Sequence, residues 1–464
     1  MNSQHVLQRR GQYQRVGVWR ALVLVWVVVA WAAQPSLAQR LIWLGTLPGG
    51  DVSEAYGVSA DGSVVVGHAL NAAGQWRAFR WTAAGGMQVL GTLPGGDQSQ
   101  AYAVSADGSV VVGEAGITES GWRAFRWTAT RGMQNLGTLG GRKISALAIS
   151  ADGSVVVGLA LTAAGQERAF RWTAARGMQD LGTLGGIQIS ATAVSANGFV
   201  VVGWAENAAD YARAFRCTAA GWIQDLGTLG GKQSAAYGVS ADGSVVVGTA
   251  WNAASKWRAF RWTAAGGMQD LGTLPGGDGS EARGVSADGS VVVGTAWNFR
   301  EQYRAFRWTA AGGLEDLNFT YANLLTDGSV LLEARAISPD GRYIVGGGYN
   351  AATGRGEAYL LDVVGYSNVD EQSGTPGLEL HLLPQPAHEN VVIKLSRADG
   401  VRGITLAVYD ALGRAVAEPL RGAVLPPGVQ QRIELDVRAW AAGQYTVVLR
   451  TEASCTAVPL VVVR

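Results

Sequence analysis

Cysteine is nearly missing from this chain of 464 residues: only Cys217 and Cys455 occur. Two cysteines far apart exclude a disulfide framework. Cys217 stands where sister copies of a repeat carry Trp, which marks it as a small buried apolar substitute and not a reactive thiol. Histidine is as scarce, with four in the chain and only His68 between residues 39 and 365. Neither a multi-histidine metal centre nor a Ser-His-Asp array can be assembled from that supply, and no Gly-x-Ser-x-Gly elbow or phosphate loop is present. No metal, cofactor or catalytic residue is therefore expected. An excess of one charge is also absent: 37 basic and 36 acidic side chains leave a net charge of +1, so nothing favours nucleic acid or an anionic membrane. Long apolar runs are limited to Ala21–Ala33, shorter than the ~20 residues that span a bilayer. It follows Arg9, Arg10, Arg15 and Arg20 and precedes Ser36-Leu37-Ala38, the pattern of a secretory leader (1–38) cleaved near Ala38. A mature chain without a transmembrane segment, secreted or at the cell surface, is expected.

What the chain has in abundance is glycine, 65 residues with no Gly-X-Y period, which marks tight turns between short strands. Leu-Gly-Thr-Leu begins at Leu44, Leu90, Leu136, Leu181, Leu226 and Leu271, with a degenerate copy at Leu317, at spacings of 45 or 46 residues. A strand-like period of this length is the signature of propeller blades. One unit reads as four strands, Ala55–Ala60, Ser63–Gly67, Arg77–Thr82 and Met87–Leu93. Asp61-Gly62 lies between the first two, and its glycine accepts positive φ without steric cost and closes a hairpin. The run Val64–Val66 is apolar on both faces, as a strand covered from both sides requires. Ala55 and Gly57 are small enough for the crowded wall of a central channel, so their strand is expected to be innermost. An extra strand at Leu41–Leu47 and a last repeat ending at Glu357–Leu361 together give 28 strands and a ring closed by its two ends. The expected fold class is all-β: a seven-bladed β-propeller over 39–365, a linker at 366–377, and a small C-terminal β-sandwich over 378–464.

Segments such as Val58-Ser-Ala-Asp-Gly62, Arg77-Ala-Phe-Arg-Trp81 and Leu90-Gly-Thr-Leu93 resemble the bacterial extracellular HAF-repeat family over about residues 41–365, with arginine where the naming histidine would stand. The resemblance implies an extracellular propeller-like module and carries no enzymatic assignment. Leu383-Pro-Gln-Pro-Ala387, Val408–Val416, Leu435-Asp436, Ala442-Gly-Gln-Tyr445 and the apolar terminus resemble the type IX secretion C-terminal sorting domain, with Gln385 where Asn is usual. That resemblance implies a partner, the outer-membrane export machinery. A generic adhesive sandwich is the alternative reading.

Comparing the copies within the chain shows what varies freely. The loops before the first strand and between the second and third strands differ most, and in an up-and-down blade they share one face, the expected binding surface. The second strand ends there with His68, Glu114, Trp204, Glu206, Trp251, Trp297 and Tyr349 as candidate ligand-binding residues, suited to stacking on sugar rings or holding a protein partner. Trp76, Trp122, Trp257 and Tyr303 open the third strand; the recurring tryptophans read as packing between strands. The recurring Arg80, Arg126, Arg171, Arg216, Arg261 and Arg307 read as structural, each paired with a turn carboxylate. The expected function is a non-enzymatic binding module for an extracellular glycan or protein. The alternatives are a carbohydrate-active enzyme using Glu114 or Glu206, and a purely structural surface protein.

Overall fold

The computed structural model describes residues 39–363 and 379–462, except 118–120, 219–220, 299–301, 384–389, 397–400, 411–414, 426–430, 441–442 and 451–454. The expected leader (1–38) and linker (366–377) lie outside the described residues.

The protein is all-β, built of four-stranded antiparallel units. In repeat 1 the strands are Ser53–Val58, Val65–Leu70, Trp76–Thr82 and Gly86–Val89, paired in chain order. Repeats 4, 5 and 6 form separate sheets of the same kind, and repeats 2 and 3 are joined into one sheet by a single parallel bridge, Lys143 to Trp122. The last repeat contributes Val330–Ile337, Tyr343–Asn350 and Arg355–Asp362, and Arg40–Trp43 from the start of the described chain pairs as its fourth strand.

The hairpin joining the first two strands is fixed by side chains. The buried Ser59 hydroxyl donates to Asp61 Oδ1 (2.7 Å) and accepts from Val64 N (2.9 Å), while Ser63 N donates to the same carboxylate (3.0 Å). This Ser-x-Asp clamp recurs in repeats 2, 3, 5, 6 and 7, with Asn197 in place of the aspartate in repeat 4. It exposes the aspartate yet saturates it, which accounts for its repetition without any catalytic task. Val64, Val65 and Val66 are all buried, as a strand covered on both faces requires.

Three expectations need correction. Leu-Gly-Thr-Leu is not a strand. Gly91 has φ +87°, outside the extended range, so pairing ends at Val89 and Leu90 and Leu93 become buried anchors of a connector. Its degenerate copy at Leu317 is a short helix, Leu317–Thr320. Second, Ala55 and its counterparts Ala101, Ala146, Ala191, Ala236, Ala282 and Ala334 are fully buried and do not line a channel. First strands pack against one another in succession, and repeat 7 against repeat 1, which demands small residues there. A bulge after Ala55 makes Tyr56 the extra residue and re-aims it; the partly exposed positions of this strand are 54, 56 and 58. Third, the recurring arginines do not pair with turn carboxylates. Arg80, Arg171, Arg216 and Arg261 donate to the carbonyls of Gly108, Gly198, Gly243 and Gly289, in the next repeat's hairpin. The aspartates are already occupied by serine and backbone donors, so the hairpin carbonyl is the free acceptor.

Backbone hydrogen bonds also step from repeat to repeat. Ala60 N donates to Ala106 O, and the pattern continues through Ala151, Ala196, Ala241 and Ala287 to Pro339 O, at 2.8–3.1 Å. Pro339 has no N–H, so no such bond can run from it to repeat 1. Other contacts serve that junction: Ala358 N donates to Ser53 Oγ (2.9 Å), Arg335 pairs with Glu54 (3.1 Å), and the Tyr343 ring lies against Gly62, where Val64 lies against Gly108 one junction on.

The C-terminal region has one sheet of Glu379–Leu383, Asn390–Ser396 and Gln431–Asp436, and another ordered Ala415–Leu425, Val401–Asp410, Gly443–Arg450, Cys455–Val462. Val391, Ile393 and Leu395 share a core with Ile404, Leu406, Val408 and Leu449, so the two sheets enclose one sandwich core. Ala415–Leu425, not expected as a strand, contains Pro419 and lies at a sheet edge, where proline is tolerated.

Two predictions follow from these bonds. Ser99 Oγ accepts from the buried Ala78 N (3.0 Å) and donates to Gly91 O (2.7 Å). Ser99→Ala is expected to lower unfolding free energy in urea by about 1–3 kcal/mol, against within about 0.5 kcal/mol for the exposed Ser63→Ala. Asp107 is held down to about 2, first by the Ser105 hydroxyl and then by Ser109. Its folded value lies below its unfolded value, so its contribution is present above about pH 4 and fades as pH falls toward 2. Asp107→Asn, copying Asn197, should flatten part of that acid limb in urea midpoints measured against pH.

Candidate binding site

The second strands present two levels on one face, because residues two apart point the same way. His68, Glu114 and Trp204 share one register, opposite Glu54, Gln100 and Ser190 of the first strands. Glu206, Trp251, Trp297 and Tyr349 lie two or so residues further on, toward the hairpin tips. The seven candidates therefore occupy two register levels of that face and are spread over different repeats.

At the tips, direct cross-strand pairing builds aromatic couples. Trp251 faces Trp257 with centroids 5.3 Å apart at 67°, and Trp297 faces Tyr303 at 5.4 Å and 49°. Ser255, Lys256, Trp257, Asp278, Gly279 and Trp297 line a cleft of about 270 Å³ between repeats 5 and 6. Lys256 Nζ reaches Asp278 Oδ2 at 2.7 Å and holds that carboxyl below its usual range. Trp251 Nε1 is buried without a partner, and Tyr303 and Tyr349 are exposed. Two indoles and an ion pair in one cleft offer apolar stacking beside polar donors and acceptors. Trp257, read from the sequence as packing, lines this cleft, because its hairpin ends at the surface; Trp76 does pack, edge-on to His68 (4.6 Å, 83°). Glu206 accepts from Gln188 N (3.2 Å).

The other level is polar and dense. Tyr56 OH donates to Glu54 Oε2 (2.9 Å), and Arg335 Nη2 bridges Glu54 (3.1 Å) and Glu333 (2.6 Å) while its guanidinium lies 4.2 Å from the Tyr56 ring centre. His68 stacks near Tyr56 (4.8 Å) with Nε2 3.7 Å from Glu54. Burial, chiefly, pushes the imidazole down to about 4, with Arg335 adding to it and Glu54 opposing. Glu114 accepts from Tyr102 OH (2.9 Å) and from the Ser145 hydroxyl. Burial and Glu114 raise the Tyr102 phenol, and burial raises Tyr56, so both stay protonated donors.

The sequence singled out His68 and Glu114 but not the groups packed with them, Glu54, Tyr56, Tyr102, Glu333 and Arg335, nor Lys256 and Asp278 of the cleft. The available signal was variation on the first strand: Glu54, Gln100, Ser145, Ser190, Ala235, Glu281 and Glu333 are counterparts, as are Tyr56, Tyr102, Leu147, Thr192, Tyr237, Arg283 and Arg335. No group of three or more potential metal ligands occurs among the described residues.

Residues 381–463 match the family described as secretion system C-terminal sorting domain. This supports a type IX tail, implies interaction with the type IX secretion machinery, and supports secretion or a cell-surface location. No helix among the described residues is long and apolar enough to cross a membrane. No curated protein matches the chain. Similar solved structures include TolB from Acinetobacter baumannii, at 12% identity and TM-score 0.38, covering 68% of this chain and 64% of that one. Kuenenia stuttgartiensis hydrazine synthase is similar at 13% and 0.37, covering 68% and 96%. A puromycin hydrolase S511A mutant complexed with PGG is similar at 14% and 0.42, covering 75% and 58%. The chain spans less than two thirds of the TolB and puromycin hydrolase chains.

The depressed His68 value makes a pH prediction. The folded imidazole stays neutral where the unfolded one takes a proton, so stability is lost as pH falls from about 6.5 toward 4. His68→Thr, copying Thr249, should remove that slope from urea midpoints over the same window.

Proposed function

We propose that the chain is exported by its C-terminal domain through the type IX machinery, and that its repeat region is a closed seven-bladed β-propeller of the HAF-repeat kind acting as a non-enzymatic module for an extracellular glycan. Closure is supported by the pairing of Arg40–Trp43 with the last repeat and by the packing of first strands from repeat 7 onto repeat 1. The leader ending near Ala38 fits the same route.

The observation that carries the binding role is the cleft of Trp257, Trp297, Lys256 and Asp278. Indole faces stack on the apolar faces of sugar rings, and a lysine and carboxylate at the rim supply hydrogen bonds to hydroxyls. Other repeats carry Leu70, Gly116 or Leu161 where Trp297 stands, so the fold itself does not require the ring. Glu114 and Glu206, the carboxylates an enzyme would use, are engaged by Tyr102, Ser145 and Gln188.

A glycan array probed with residues 39–464 should show a specific ligand, lost at least tenfold in affinity, about 1.4 kcal/mol, in a Trp257→Ala, Trp297→Ala variant. Undiminished capture by that variant would remove the cleft from the reading, and glycan hydrolysis by the purified chain would replace the module with an enzyme.

A further inference from the structure

Trp297 lies in the cleft against a residue that has no side chain. A Cβ added at Gly279 would stand 2.6 Å from Trp297 Cε3, 2.8 Å from Cζ3 and 3.2 Å from Cδ2, well inside the ~3.5–4.0 Å at which carbon atoms rest in contact. These three atoms are consecutive around the indole. A point beyond the ring edge would be much nearer to the middle atom than to its two neighbours, so distances this similar put residue 279 under the face of the ring. Gly279 is buried accordingly, whereas its counterparts Val52 and Gln98 are partly exposed.

The backbone does not ask for glycine here. Gly279 lies outside the left-handed region, and its carbonyl accepts from Trp297 N at 3.0 Å, as Val52 O accepts from Leu70 N and Gln98 O from Gly116 N at the same distance. Lys143, Gln188 and Gln233 fill the position in repeats 3 to 5, so among these copies only position 279 is glycine. It stands beside the second-strand tryptophan that lines the cleft. Trp251, whose counterpart of Gly279 is Gln233, is not among the lining residues and has Nε1 buried. At the junction of repeats 1 and 2, Gln75 reaches Asp97 at 3.1 Å as Lys256 reaches Asp278, and Trp76 stands for Trp257, yet Gln98 and Gly116 replace the glycine and the ring.

We propose that Gly279 is a positioning residue: by carrying no side chain it lets the Trp297 indole lie face-on against the chain and form a fixed wall of the cleft, the flat apolar surface on which a sugar ring stacks. The pose stands on geometry; its role in binding rests on the glycan reading given above. A ring already held in place has little rotamer freedom left to lose when a ligand arrives, and that pre-organisation is what the missing side chain contributes.

Fluorine NMR of residues 39–464 labelled with 5-fluorotryptophan tests this, because the fluorine sits on Cζ3, 2.8 Å from the added Cβ, and Trp297→Phe identifies the resonance. In Gly279→Ala and Gly279→Gln that resonance is expected to shift, with capture on the glycan array weakened at least tenfold and urea midpoints kept, since glutamine already serves in repeats 2, 4 and 5. Gln98→Gly should change none of the three. Gly279→Ala is the smaller change and reports on the ring if Gly279→Gln fails to fold. A resonance unmoved in both variants overturns the pose, and full capture with a displaced ring overturns its role in binding. Capture of no glycan by the unsubstituted chain would remove that role together with the glycan reading, while the fluorine spectra still decide the pose.

Discussion

One buried serine hydroxyl at the start of the first strand holds three pieces of chain together. Ser99 Oγ ties the third strand of repeat 1 to the connector and to repeat 2, and Ser53, Ser234 and Ser280 do the same at their own junctions. A repeat of four short strands cannot bury its own apolar face; Val64 and Val66 are covered by Ala101, Val111 and Phe125 of the next repeat. The hydroxyl fixes the distance and register at which that covering happens. Where serine is replaced, by Ile144 and Ile189, the substitutes are fully buried, so hydrophobic contact takes over the junction.

With the junctions fixed, the remaining positions are free to differ, and the residues of the proposed binding face fall among them. The second strand is locked as far as its invariant glycine, as at Gly67, Gly113 and Gly158, because a Cβ there would collide with the first strand. Beyond it the copies diverge into His68, Glu114, Leu159, Trp204, Thr249 and Thr295. The bulge on the first strand adds a second free position by turning Tyr56, Leu147 or Arg335 away from the ladder. Rigid scaffold and variable site are thus separated by about one residue along the same strands.

The last repeat departs from the others where it packs on the first. Pro339 removes a backbone donor, and charge pairs, Arg335 with Glu54 and Arg342 with Asp362, are concentrated in that repeat. Joining by pairing Arg40–Trp43 to Arg355–Asp362 adds a hydrogen-bonded strand where an open edge would remain.

The strand content, the repeat period, the Asp-Gly hairpins and the buried valine run were legible in the residues, since turn chemistry and period-two apolar patterns are local. The sorting domain was legible for a similar reason, as an ordered set of short motifs. The Leu-Gly-Thr-Leu connector was misread as a strand because its apolar content hides a glycine whose positive φ only the folded backbone displays. The arginines found backbone carbonyls instead of carboxylates because the aspartates were already saturated within their own turns, a competition that composition does not reveal. His68 and Glu114 could be named from their variation. Their separation from Trp251 and Trp297, and their company of Glu54, Tyr56 and Arg335, were decided by tertiary packing, which sets residues from different repeats side by side at distances no spacing along one chain encodes.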